Sequence, residues 1–106
     1  MIHKTAIVNT KAKISNSVEI GPFSIIGPNV EIGDNCIIAG QVGFAGSSTL
    51  GNNVMIGGQS GISGHLKIGN NVKIAGGSGV IKNIPDNSRV MGYPAKDLKS
   101  FLKDNQ

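Results

Sequence analysis

Tryptophan is absent, and one Tyr and three Phe are the whole aromatic complement of 106 residues. That shortage, with no recognised binding module, argues against a nucleic-acid partner. No long uninterrupted apolar segment occurs, so nothing here reads as a transmembrane span. No charged stretch followed by an apolar one opens the chain, and a cytoplasmic location is expected. Histidine is limited to two residues and cysteine to Cys36, with no metal-ligand spacing among them. No metal site is therefore expected. Charge is sparse as well: ten Lys and Arg against six Asp and Glu leave a net +4. Scattered lysines keep such a surface soluble, although Lys82, Arg89, Lys96, Lys99 and Lys103 gather in the last quarter, where they could meet an acidic partner.

What is abundant is regularity. Ile2, Val8, Ile14, Ile20, Ile26, Ile32, Ile38, Phe44, Leu50, Ile56, Ile62, Ile68, Ile74 and Val80 recur every six residues, all large and apolar. Helices and plain strands repeat at 3.6 and 2 residues, so neither gives this period. A short strand with one large inward side chain, followed by a turn, does. Two positions before each anchor sit small or medium residues such as Ala12, Ser24, Val30, Cys36, Ser48 and Val54, which share the inward face because alternate strand residues do. Cys36 on this row reads as a buried structural thiol rather than a nucleophile. After the anchors come Gly21, Gly27, Gly33, Gly51, Gly57 and Gly69, then Asn or Asp at Asn29, Asp34, Asn35, Asn52, Asn53, Asn70 and Asn71, residues that tolerate the positive φ of a tight corner. Three strand-and-corner units close a triangular coil of eighteen residues, and coils stack as parallel strands about 4.8 Å apart. The fold expected is all-β, a single-stranded parallel β-helix over residues 1–82, with a loop and short helix over 83–106.

Past Val80 the period breaks, since position 86 is Asp. Asn83-Ile84-Pro85-Asp86-Asn87-Ser88 has the chemistry of a loop. Pro94 can begin a helix in which Leu98, Phe101 and Leu102 form one apolar stripe. That helix is expected to cap the open end of the solenoid, since a bare last coil exposes core and sheet edge.

His3 follows the first anchor, where corner and end-cap hydrogen bonding explains it. His65, in Ile62-Ser63-Gly64-His65-Leu66, occupies a corner one coil above Ser47. A corner side chain points outward, and imidazole is the side chain best suited to take a proton from an attacking amine or hydroxyl near neutrality. Without a cleft it is a plain surface histidine. Gly40, Gly46, Gly58, Gly64 and Gly76 share the second position after an anchor; turn geometry alone accounts for most of them. Gly46 and Gly64 stack beside His65, and a bare N–H there can face a developing oxyanion.

The six-residue period with these corners resembles the hexapeptide repeat of the left-handed parallel β-helix, and the handedness is implied by that resemblance. More specifically, Ile38-Ala39-Gly40-Gln41-Val42-Gly43-Phe44-Ala45-Gly46-Ser47, Val54 to Leu66 with its Gly64-His65-Leu66, Ile84-Pro85-Asp86 and Gly92-Tyr93-Pro94-Ala95 are similar to the UDP-3-O-acylglucosamine N-acyltransferases of lipid A synthesis. Ile20 to Val30 is as similar to the sister acyltransferase that acylates a hydroxyl of UDP-N-acetylglucosamine. The resemblance implies a homotrimer with clefts between subunits, a 3-hydroxyacyl donor carried as an acyl carrier protein thioester, a nucleotide-sugar acceptor, and no bound metal or redox cofactor. Lys96, Lys99 and Lys103 would meet the carrier protein. His65 matches one of two family histidines and Gly46 the glycine expected to face the acyl carbonyl. The other histidine's segment is Ile26-Gly27-Pro28-Asn29-Val30 here, and Pro28 cannot accept a proton, so His65 would serve as base with Gly46 or Gly64 as N–H donors. Two alternatives stand beside this: a small acetyl-CoA-dependent sugar or amine acetyltransferase, and a non-catalytic trimeric β-helix scaffold.

Overall fold

The computed structural model describes residues 1–105; Gln106, at the end of the expected tail, lies outside the described residues. Strands β1 to β13 are two residues each, in chain order Ile7–Val8, Lys13–Ile14, Glu19–Ile20, Ile25–Ile26, Glu31–Ile32, Ile37–Ile38, Gly43–Phe44, Thr49–Leu50, Met55–Ile56, Gly61–Ile62, Lys67–Ile68, Lys73–Ile74 and Gly79–Val80. In each the second residue is the anchor. β14 (Arg89–Met91), β15 (Lys96–Asp97) and α1 (Leu98–Asp104) complete the chain.

Every third strand stacks on the same side, giving three faces of a prism. Face 1 is β1-β4-β7-β10-β13, face 2 is β2-β5-β8-β11, and face 3 is β3-β6-β9-β12-β14 with β15 at its edge. Ile20, Ile38, Ile56 and Ile74 pair in direct register up face 3, forming one internal column. From Val18 to Ile62 both inward rows are buried, and above that the anchors stay buried while Leu66 and Ser88 are half-buried; at the other end Ile2 is exposed and Val8 and Ile14 are half-buried, because no coil lies beneath them. The inward serines fit without loss. Ser24, Ser48 and Ser60 each donate to a carbonyl at the start of the corner stacked above them (Ala39 2.9 Å, Ser63 2.7 Å, Ala75 3.1 Å) and accept an N–H from the end of that same corner. A buried hydroxyl with both roles filled avoids the cost of an orphaned polar group.

Corners need left-handed backbone. Asn29, Asn35, Asn53, Asn71 and His65, of types enriched in this region, adopt φ near 60°, and so do Phe23, Gln41, Ser47 and Gln59, which have no special affinity for it. The edge between faces 2 and 3 carries a side-chain ladder: Asn52 accepts from Asp34 N–H (2.8 Å), Asn70 from Asn52 N–H (2.7 Å) and Asp86 from Asn70 N–H (2.7 Å).

Stacking runs past residue 82. Ile84 bridges to Ile68 and Val90 pairs with Ile74, so these two occupy anchor seats after a step of four residues from Val80 in place of six. Position 86 is Asp because it belongs to the ladder, not to the core. Asn83 makes the shortened corner workable: its side-chain carbonyl accepts Lys67 N–H at 2.8 Å, and Ile84 N–H donates to Lys67 O at 3.1 Å. Gly92–Ala95 then lies across β13, with Gly79 N–H on Gly92 O (2.9 Å) and Ala95 N–H on Gly79 O (2.7 Å). Ala95 is buried at the end of the core. The helix begins at Leu98, not at Pro94, because Lys96–Asp97 pairs antiparallel with β14 and Asp97 caps α1 by accepting from Lys99 and Ser100 N–H (3.1 and 3.4 Å). Leu98 and Phe101 are half-buried and Leu102 is exposed, so the apolar stripe leans on the solenoid without being enclosed.

Candidate functional site

Face 1 and face 2 meet at the edge that carries Pro28-Asn29, Gly46-Ser47 and Gly64-His65 on successive coils. Backbone bonds climb this edge: Ser47 N–H donates to Pro28 O (2.9 Å) and His65 N–H to Gly46 O (3.1 Å). The next rung is the shortened one, so among the described residues no N–H reaches Gly64 O. Gly64 and His65 thus form the top ledge of the edge, and the exposed imidazole stands where two residues of corner have been removed above it. Sequence reading found His65 but not this ledge; the signal was the four-residue interval from Val80 to Ile84.

The N–H groups of Gly46 and Gly64 make no hydrogen bond among the described residues. The same holds for Gly40 and Gly58 on the edge between faces 3 and 1, so an unpaired N–H is a property of the corner glycine. What separates Gly46 and Gly64 is the histidine beside them. A Cβ on Gly46 would come within 3.1 Å of Pro28 O, and one on Gly64 within 3.2 Å of Gly46 O, so any side chain here would crowd the coil below.

A second feature went unread in the sequence. Gly43, Gly61 and Gly79 occupy the outward strand position on three successive rungs of face 1, leaving bare backbone next to the histidine edge. Ala45, Ser63, Ile81 and the ring of Tyr93 border this strip, forming an open groove of about 310 Å³. Tyr93 lies over Gly79, where an added Cβ would collide with the ring. The signal was a glycine before the anchor at an eighteen-residue interval.

His3 is accounted for by its corner: its Nδ1 lies 2.9 Å from Thr5 Oγ1 and accepts Thr5 N–H at 3.2 Å. Cys36 is fully buried, with its thiol 3.2 Å from Gly51 O, and burial pushes the thiol up from its ordinary value. A neutral, enclosed thiol is not a nucleophile. Among the described residues no three His, Cys, Asp or Glu side chains gather to hold a metal ion, and no helix is long and apolar enough to cross a membrane. Lys96 is ion-paired with Asp104, while Lys99 and Lys103 are exposed.

Two-residue strands stacked in parallel on three faces at an eighteen-residue repeat define a parallel β-solenoid. Residues 11–46 and 47–82 each match the bacterial transferase hexapeptide family (six repeats), together more than half of the chain, and the chain belongs to that family. The fold is accordingly the left-handed parallel β-helix. The acyl-[acyl-carrier-protein]–UDP-N-acetylglucosamine O-acyltransferase of Thermodesulfovibrio yellowstonii is 62% identical over 32 residues, covering 30% of this chain and 12% of that protein. Its counterpart from Saccharophagus degradans is 42% identical over 49 residues, covering 46% and 19%. This chain therefore aligns with only a small part of those relatives. Among solved structures, serine acetyltransferase of Neisseria gonorrhoeae superposes with a TM-score of 0.70 at 30% identity, over 92% of this chain and 40% of that one. Perosamine N-acetyltransferase of Caulobacter crescentus, solved with CoA and GDP-perosamine, gives 0.71 at 21% identity over 91% and 54%, a likeness of fold.

Proposed function

We propose that this chain transfers an acyl group from a thioester to an amine or hydroxyl of a nucleotide sugar, with His65 as general base. The observation that carries the reading is the ledge: a lone exposed imidazole, left uncovered by the shortened coil, stands beside corner N–H groups without partners. The acceptor nitrogen or oxygen attacks the thioester carbonyl while His65 takes its proton. Charge that collects on the carbonyl oxygen is met by the N–H of Gly46 or Gly64. Collapse of the tetrahedral species breaks the C–S bond, and the imidazolium returns the proton to the departing thiolate. The bare strip of Gly43 and Gly61, which ends at the Tyr93 ring over Gly79, admits an extended acyl or pantetheine chain against the backbone.

The finer assignment is N-acyl transfer in lipid A biosynthesis, supported by the Gly64-His65-Leu66 setting and the flanking segments, with the thioester of acyl carrier protein as donor. Lys99 and Lys103, without an acidic partner among the described residues, supply charge for an acidic carrier, and Lys96 does so once released from Asp104. The likeness to acetyltransferases supports acetyl-CoA as the other donor. The protein works in the cytoplasm as a homotrimer: Ile7 and Ile25 are exposed on face 1, with Phe23 at its edge with face 3, and a neighbour packed across this face completes a cleft at the His65 edge. Pro28 is the one residue that favours a non-catalytic scaffold.

Acyl transfer is measured with acyl carrier protein thioester and UDP-3-O-acylglucosamine, and with acetyl-CoA and the same acceptor, comparing parent with His65→Ala. Turnover that falls by about 10²- to 10⁴-fold supports the assignment. A parent that assembles but neither turns over nor binds either donor is a scaffold.

A further inference from the structure

Face 3 lies across the prism from the His65 edge, and its outer side is polarised along the stack. In register from one end, the outward residues are Glu19, Ile37, Met55, Lys73 and Arg89. Like charges directly opposite one another on neighbouring strands repel, yet Lys73 and Arg89 are such a pair. Among the described residues the one ion pair is Lys96–Asp104, so neither cation has an acidic partner. Below them Met55 and Ile37 are 46% and 43% exposed, although each stands in the middle of a sheet. Ala39, Gly57 and Ala75 keep the adjacent column low, and Leu98 of α1 forms one wall. The result is an open groove of about 410 Å³ whose lining is chiefly apolar and whose cations sit at one end. That volume falls within the roughly 300–1,000 Å³ of small-molecule sites. Nothing in the packing of the solenoid requires this arrangement, since the outward position accepts Thr49 or Gly61 equally well elsewhere.

We propose that this groove binds a single-chain fatty carboxylate of medium length, its head group on Lys73 and Arg89 and its chain over Met55 and Ile37. Arg89 offers a fork that takes a carboxylate through two hydrogen bonds, and Lys73 adds a point charge. From Arg89 to Ile37 is three rungs, about 14 Å at the spacing of stacked strands, a length that an extended chain of medium size fills. Glu19, one rung beyond Ile37, repels an anion and so fixes the direction of the chain. The apolar floor is recessed beside α1 rather than projecting, which suits a monomeric amphiphile and not a bilayer surface. The proposal does not depend on the acyl-transfer reading, because it uses neither His65 nor face 1.

The full chain is titrated with decanoate below its micelle concentration, following the methyl signals of Met55, Ile37 and Leu98 by NMR. Decanol, hexanoate and anionic phospholipid vesicles are run in parallel. Saturable binding of decanoate that moves these three methyls is expected, with decanol at least about tenfold weaker for want of a charge-assisted hydrogen bond and hexanoate at least about tenfold weaker for want of four buried methylenes. The Lys73→Glu/Arg89→Glu double variant should lose at least about tenfold in affinity, while Lys13→Glu on face 2 leaves it unchanged. Absence of saturable binding overturns the proposal. So does equal affinity for decanol, unchanged affinity in the double variant, shifts confined to face 1, or binding to vesicles alone. Dissociation of an oligomer by Met55→Glu would also overturn it, since the groove would then be a subunit contact.

Discussion

At the scale of single residues, each seat in the coil asks for one property, which is why so much could be read from the chain. Anchors ask for bulk, the second inward row for small volume, and corners for tolerance of φ near 60°. Cys36 fills its inward seat as a neutral group. Its thiol is raised by burial from an ordinary value of 9.0, so the folded state holds the proton more tightly than the unfolded state does. A group raised in this way contributes stability that is intact below its unfolded value and declines as pH rises above it. Urea midpoints of parent and Cys36→Ala, compared across alkaline pH, should therefore converge above about pH 9. A gap that does not change with pH would contradict the burial. His65 was legible as a candidate from its corner position, but its uncovered ledge was not, because that depends on what the next coil does.

At the scale of elements, the strands are too short to hold themselves and are fixed by their neighbours above and below. The Asp34, Asn52, Asn70 and Asp86 ladder is one such device. Asn70→Ala removes the acceptor for Asn52 N–H and should cost about 0.5–1.5 kcal/mol in urea unfolding, toward the low end because water can replace it at an exposed corner. No loss would mean that the ladder is decorative. This ladder also explains where sequence reading stopped short. Asp86 is wrong as an anchor but right as a rung, and Ile84 and Val90 lie off the six-residue count by two. An Asn side chain standing in for a missing stretch of backbone has no periodic signature. Likewise Pro94 reads as a helix start, whereas the hydrogen-bonded place of Lys96–Asp97 beside β14 delays the helix to Leu98. The juxtaposition of Lys73 with Arg89 escaped notice for the same reason, since it needs the contracted register.

At the scale of the whole molecule, a prism 42 Å long and about 21–23 Å across presents three unlike faces. Face 1 is bare and apolar, face 2 carries Lys13, Glu31, Thr49 and Lys67, and face 3 is polarised. If face 1 is the trimer contact, Ile25→Glu places a charge in it and should convert the assembly to monomers by light scattering, with the fold retained by circular dichroism. An unchanged mass would assign the contact elsewhere and leave the cleft at His65 without its second wall.

The sharpest test joins backbone geometry to chemistry at one residue. His65 holds a left-handed backbone with φ 60°, a conformation that disfavours side chains with a Cβ but not glycine. In His65→Gly the melting temperature should stay level or rise slightly, while acyl transfer falls by about 10²-fold or more. Retained transfer at an unchanged melting temperature would show that the imidazole is not the base.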